Sequence, residues 1–332
     1  MAGVLLVVIS GVCNGLFTVP MKVLGNWKWE NIWLIFILVA CLVMPVAIVL
    51  VQTPSLAVRT LQTASGSLLV VASAFGFAWG FGAILFGLSV DRLGVSLANS
   101  LVIGLSSALG SVVPLLLKRP FVLESRHLLL FSGVAVFLVG VAICGAAGKG
   151  RKQVPEGRPF PFSLSTGYLF CLGAGVLSAV FNIGYSLALP IADAGVRLGM
   201  SRFSATNVIW LLMLGAGAVP NIVYCSWLLV RHRATVLFAA TGAVRGFALS
   251  GSMGLLWGGS IFLYGAATPR LGELGPSVGW PLSLAVGLLV SNLMGVFLGE
   301  WRDAPRGSIR LMRSGIVSLL VAIAMCGLSA GA

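Results

Sequence analysis

The stretch "WGFGAILFGLSVDRLG", Trp79 to Gly94, recurs further along the chain as "WGGSIFLYGAATPRLG", Trp257 to Gly272. Seven of the sixteen positions match without a gap: Trp79 with Trp257, Gly80 with Gly258, Leu85 with Leu263, Gly87 with Gly265, Arg92 with Arg270, Leu93 with Leu271 and Gly94 with Gly272. Chance gives roughly one or two in an apolar, Gly-rich chain, so the pair points to an internal duplication. A weaker echo sets "GVCNGLF", Gly11 to Phe17, against "GVLSAVF", Gly175 to Phe181, at an offset of 164 beside the 178 of the first pair. Both offsets suit one collinear duplication.

Composition says what kind of segment is duplicated. The chain has 332 residues, 58% of them hydrophobic and 9% charged, with a mean hydropathy of +1.06, far outside the range of a soluble domain. Ten stretches of 19 residues or more lack Asp, Glu, Lys and Arg: 1–21, 31–58, 60–90, 93–117, 127–148, 159–192, 203–230, 246–269, 274–299 and 314–332. Each is long enough to cross a hydrocarbon core of about 30 Å, which takes about 20 helical residues. Alternation of the barrel kind is absent, and a lipid-facing backbone must satisfy its own hydrogen bonds, so the expected fold is all-α with ten transmembrane helices. The first run has no Lys or Arg ahead of it and no small-residue cleavage site, and reads as a retained helix rather than a signal peptide.

The polar interruption "GKGRKQVPEGRPFPFS", Gly148 to Ser163, divides the ten into five and five. The expected units are a first repeat over residues 1–150, a cytoplasmic linker over 151–164 and a second repeat over 165–332. An odd number of helices per half turns the second half over in the membrane, the inverted arrangement of secondary transporters, whose site lies near the midplane between the halves.

The net charge of +13 does not point to nucleic acid, because the 21 Lys and Arg are spread over the loops and form no stripe with interleaved aromatics. Odd-numbered loops carry 14 of them and even-numbered loops 7, which places the odd loops in the cytoplasm and both termini outside. Six Cys lie in apolar runs without a CxxC or a neighbouring His, and the two His are far apart, so neither a metal site nor a cofactor is expected.

Within the repeat, the Gly positions seven apart make a small-residue face for close helix approach, and the Arg-Leu-Gly end reads as a last-turn cation followed by a left-handed cap at Gly94 and Gly272. Neither copy is a phosphate loop, since the Gly spacing is wrong and no Lys follows. Trp79 and Trp257 are different. Thirteen residues, about 20 Å of rise, separate each from its Arg, which puts both near mid-membrane and away from the interfacial belt. They either pack against neighbours or line a central cavity, where an indole face stacks on the C–H patches of a ligand. Trp27, Trp29, Trp33 and Trp301 suit the belt.

Intramembrane amides and hydroxyls complement them: Asn14, Asn99, Asn182, Asn207, Asn221, Asn292, Tyr185 and Tyr264. Each is either a helix–helix bond or a ligand contact, and together they favour a neutral polyhydroxy or amide substrate over an ion. The eight acids lie at helix ends or in loops; Glu30 and Glu273 are the best placed to carry a proton, against a solvated helix-end role.

"FTVPMKVLGNWKWENIW" (Phe17 to Trp33), the Trp79 to Gly94 segment and "GEWRDAPRGSIRLMRSGIVSLL" (Gly299 to Leu320) resemble the L-rhamnose-proton symporter family of the drug/metabolite transporter superfamily. The likeness runs in order from first helix to last and includes Pro20-x-Lys22 and Glu300-Trp301. It implies inverted five-helix halves in the inner membrane, importing a sugar with a proton, and it directs "GELGPSVGW", ending at Trp280, toward the cavity. From the repeat, the amides and the mid-depth Trp, the expected pathway residues are Trp79, Trp257, Trp280, Asn14, Asn182 and Tyr185, with Glu30 or Glu273 as proton carriers. The partners expected are a small sugar, protons and membrane lipids, with the chain a monomer or homodimer. Export of amino acids or other metabolites is a second transporter reading. A polytopic membrane enzyme would need a His, Asp, Glu or Cys cluster that the sequence does not offer, and a scaffold gives no reason for inverted halves.

Overall fold

A computed structural model describes residues 2–25, 27–93, 95–117, 123–149, 164–299, 301–302 and 304–329. Among these there is no strand. The chain runs α1 (Ala2–Leu16), α2 (Trp29–Ile37), α3 (Met44–Gln52), α4 (Pro54–Thr63), α5 (Gly66–Leu93), α6 (Val95–Leu117), α7 (Ser125–Lys149), α8 (Leu164–Arg197), α9 (Arg202–Arg231), α10 (Ala243–Ala267), α11 (Gly275–Phe297) and α12 (Arg306–Ser329). Nine segments among the described residues are long and apolar enough to cross a membrane, the first being α2 and α3 joined as Trp29–Gln52. The tenth expected span, α1, has 15 residues, about 22 Å of rise against a core of about 30 Å. It gives way at Phe17 to a turn and a short 3-10 helix, Pro20–Val23, because a proline cannot continue the α ladder.

Proline also explains two features a charge-free run cannot reveal. Between α2 and α3 the helix widens into a π turn, Leu38–Val43, just ahead of Pro45, which withholds the N–H that the Cys41 carbonyl would otherwise take. At Pro54 the chain leaves the span and forms α4, which is much less apolar than its neighbours. The apolar run expected to end at Val58 thus divides at Thr53.

The packing has a pattern. Helix α5 lies against α8 and α9, and α10 lies against α1 and α2; α6 packs on α8 and α7, and α11 packs on α1 and α12. Each contact of one set has its counterpart in the other, with α10 and α11 in the places of α5 and α6, and α1, α2 and α12 in those of α8, α9 and α7. The long contact of α7 with α12 completes it.

The repeat's matched glycines serve this packing. A Cβ on Gly80 would stand 2.4 Å from the Gly217 carbonyl oxygen, and one on Gly265 2.2 Å from the Trp210 Nε1; on Gly87 and Gly258 it would meet the Trp29 ring at 2.7 Å and the Met44 sulfur at 2.6 Å. Backbone cannot move aside as a flexible thioether can, so the same letter carries unequal weight in the two copies. Gly80→Ala separates α5 from α9 and lowers stability by about 1–3 kcal/mol, whereas Gly258→Ala is absorbed by rotation of Met44. Melting curves of the detergent-purified proteins check this; equal shifts for the two would contradict it.

At the end of the second copy, Arg270 Nη1 donates to the Ala266 carbonyl, as expected of a cation in the last turn. Gly272 takes φ +70° with ψ −150°, a conformation only glycine favours, but not the left-handed cap expected. The helix instead tightens into a 3-10 segment, Thr268–Leu274, before α11. Gly94, the side chains of Asp91 and Arg92, and the linker expected over 151–164, Leu164 aside, lie outside the described residues. All six Cys are free thiols.

Candidate functional site

A cavity of about 150 Å³ lies where α1, α5, α6, α8, α10 and α11 converge, with Trp33 and Phe36 of α2 closing its side. At roughly 10–15 Å³ per water on this measure, it has room for a small polyol. No charged side chain is among its lining residues.

The two tryptophans of the repeat meet inside it. The Trp79 and Trp257 rings stack with centroids 5.1 Å apart and planes 11° from parallel. Trp79 also leans on Phe181 at 4.9 Å, and Trp257 on Phe36 at 5.8 Å. Phe36 in turn touches Trp33, which stacks on Trp29, so one aromatic wall runs from the cavity to the start of α2. Neither indole N–H of the central pair bonds to a described residue. Trp33 was expected in the interfacial belt but is buried, because its N–H is held by Asn221 Oδ1 at 3.0 Å. Trp301 is buried as well.

The remaining walls are unlike one another. On α1, α10 and α11, Ser10 bonds to the Ser260 carbonyl (2.9 Å) and approaches the hydroxyls of Ser260 (3.2 Å) and Ser283 (2.9 Å). The lining residues of α5, α6 and α8 include the apolar Gly82, Ala83, Phe86, Val102, Ile103 and Ala174. Asn14 and Asn99 line the cavity, and neither amide has a hydrogen bond to a described residue. Trp280 lines it too, with its N–H on Ser106 Oγ (3.1 Å), which donates in turn to Ser178 Oγ (2.9 Å).

The cavity positions follow helical spacing in both copies of the repeat. Trp79, Gly82, Ala83 and Phe86 face it at i, i+3, i+4 and i+7, and so do Trp257, Ser260, Ile261 and Tyr264. Ser10, Asn14 and Phe17 line it with Ala174, Ser178 and Phe181, 164 positions on; Asn99, Val102 and Ile103 do so with Trp280, Ser283 and Leu284, 181 positions on.

Two of the expected pathway residues lie behind the wall. Asn182 Nδ2 donates to the carbonyls of Gly110 (2.8 Å) and Pro276 (3.1 Å), and its Oδ1 accepts from the Tyr264 hydroxyl. Both donors and the carbonyl oxygen of its amide are thus engaged within the protein. Tyr185 bonds to Thr268 Oγ1 at 2.5 Å and stacks on Trp210 at 4.3 Å. These bonds close the end of the cavity at Tyr264 and Trp280. At the other end, Phe17 and Thr18, just past α1, line it, so it reaches toward the face where α2 begins.

On that face Glu30 occupies the first turn of α2, 4% exposed, with its Oε1 2.8 Å from His232 Nδ1. The side chain of Glu273 lies outside the described residues. No group of three or more His, Cys, Asp or Glu able to hold a metal occurs among the described residues.

An all-helical, multi-span membrane protein enclosing a charge-free, aromatic and hydroxyl-lined cavity is a small-molecule carrier by class. The chain belongs to the L-rhamnose-proton symport protein (RhaT) family, whose model matches residues 1–332; this is a family of transporters, not of enzymes. The L-rhamnose-proton symporter of Cronobacter sakazakii is 27% identical over 334 residues, covering 98% of this chain and 96% of its own. That of Salmonella typhi is 27% identical over 321 residues, covering 94% and 93%. A solved crystal structure, 15% identical, overlays with a TM-score of 0.53 over 99% of both chains, a likeness of fold.

Proposed function

We propose that the chain imports L-rhamnose or a related deoxyhexose with a proton across the inner membrane, by alternating access between two inverted five-helix halves. The observation that carries the reading is the cavity. A deoxyhexose is neutral, has C–H faces that suit the Trp79 and Trp257 rings, hydroxyls that suit Ser10, Ser260 and Ser283, and a methyl group that suits the apolar lining residues of α5, α6 and α8. Membership of the L-rhamnose-proton symport family supports the substrate and the coupling ion and does not favour the export of amino acids or other metabolites.

The matched helix contacts and matched cavity positions support ten spans with α1 counted as the first, and 1–150 and 165–332 as halves turned over relative to each other. Trp79, Trp257, Trp280 and Asn14 are then substrate contacts. Asn182 and Tyr185 act from behind the wall, holding the end that must open in the outward-facing state. Glu30 or Glu273 carries the proton.

Uptake of labelled L-rhamnose by proteoliposomes tests this. Accumulation above equilibrium under an inward proton gradient, and counterflow without one, are expected; no uptake of any sugar would sink the reading.

A further inference from the structure

We infer that Glu30 and His232 together hold the transported proton, and that Trp33 and Asn221 convey the state of this pair to the sugar cavity; the inference rests on the symport reading above. Three acids have described side chains, and two are half exposed: Glu124 pairs with Arg126 at 2.6 Å and Asp193 with Arg202. Glu30 is the buried one. A carboxylate withdrawn from water in a membrane helix must take up a proton or find a cation, and His232 supplies either a cation or a neutral hydrogen-bond partner at 2.8 Å.

The approach of His232 is built, not incidental. Arg233, next in the chain, sits at φ +51° and ψ +35°, a left-handed conformation uncommon for a residue with a side chain. This turn brings the loop back onto α2, where Asn31 Nδ2 donates to the Ala234 carbonyl (2.9 Å) and Lys28 Nζ to the His232 carbonyl (3.1 Å). The buried thiol of Cys225 on α9 also lies near Glu30, while Arg231 lies over the Trp227 ring at 4.9 Å. Among the described side chains, Glu30 is the one carboxylate there.

One turn further along α2 comes Trp33, a cavity residue, and its N–H is bonded to Asn221, which donates to the carbonyls of Gly80 and Gly217 at 3.0 Å each. Helices α2 and α9 are thus joined at two points, an ionisable one outside the cavity and a neutral one in its wall. Gly80 adjoins Trp79. With His232 as the imidazolium, a further proton neutralises the Glu30 carboxylate, turns the ion pair into a weaker contact and loosens the first joint, and the shift of α2 that follows moves Trp33. The proton enters from water on one side of the membrane and leaves to water on the other; only O–H and N–H bonds are made and broken.

The test compares wild type, Glu30→Gln, Glu30→Asp and His232→Gln in proteoliposomes, reading accumulation of L-rhamnose under a proton gradient and counterflow at equal pH. Glu30→Gln is expected to keep counterflow but to stop at the equilibrium level and lose its dependence on pH. Glu30→Asp keeps gradient-driven accumulation, and His232→Gln moves the pH profile of uptake. Accumulation by Glu30→Gln as in wild type overturns the inference while the symport reading stands. Loss of counterflow together with accumulation in both Gln variants also overturns it, since the pair would then be a structural bond. Wild type without counterflow overturns the symport reading and this inference with it.

Discussion

Trp79→Ala and Trp257→Ala each reduce counterflow of L-rhamnose by about tenfold or more, the equivalent of roughly 1.4 kcal/mol in binding. The two rings form the parallel stack in the cavity wall, and their indole N–H groups are free of described partners, so truncating either removes stacking surface and a donor together. A stacked aromatic contact is worth about 0.5–1.5 kcal/mol beyond the area it covers, and the loss of a whole indole removes more than one such contact. Truncation also leaves a void, at about 3–5 kcal/mol for a buried Trp, so the measurement needs a partner that keeps the fold. Trp79→Phe retains a ring against Phe181 and Trp257 and is expected to retain part of the counterflow. Wild-type counterflow from a folded Trp79→Ala protein would show that the stack is not where the sugar sits.

Asn182→Leu lowers the melting temperature by about 10 °C, whereas Asn14→Leu leaves it nearly unchanged and loses transport. The contrast follows from the partners of each amide. Asn182 satisfies the carbonyls of Gly110 and Pro276 and accepts the Tyr264 hydroxyl, all buried, and an apolar replacement leaves these groups unpaired at about 1–3 kcal/mol each. At roughly 2–4 °C per kcal/mol, and with partial relaxation, the sum gives the expected shift. Asn14 has no such partner among the described residues and lines the cavity, so its loss is felt by a ligand. Melting curves and counterflow of both purified proteins check the pair of outcomes; equal melting temperatures for the two would reverse the assignment of roles.

How much of this was legible in the sequence depends on which positions of the repeat are asked. The glycines and tryptophans announce themselves by identity, and the matched helices do pack in matched ways. The cavity face of each copy is hidden, because at i+3, i+4 and i+7 the residues differ: Gly82 against Ser260, Ala83 against Ile261, Phe86 against Tyr264. Helical spacing from either Trp was the signal that would have found them. Trp33 was misplaced for another reason. Its nearness to Lys28 and Glu30 reads as an interface, and nothing in the sequence shows that Asn221, 188 positions away, draws the ring inward. Asn182 and Asn14 are the same residue type in corresponding apolar helices, and only their surroundings separate a structural bond from an open amide. The end of α1 and the start of α4 escaped a search based on charge, since Pro20 and Pro54 break helices without carrying any.

The facing tryptophans also limit what they can recognise. Two like rings stacked on one another offer a ligand one flat apolar surface, but a hexose is chiral and its two ends are different. The stack can register that a pyranose ring is present, not which way round it lies or which mirror image it is. That discrimination falls to positions such as Gly82 with Ser260, where one copy offers a hydroxyl and the other does not. Selectivity between L- and D-sugars is therefore located at the places where the two copies have drifted apart.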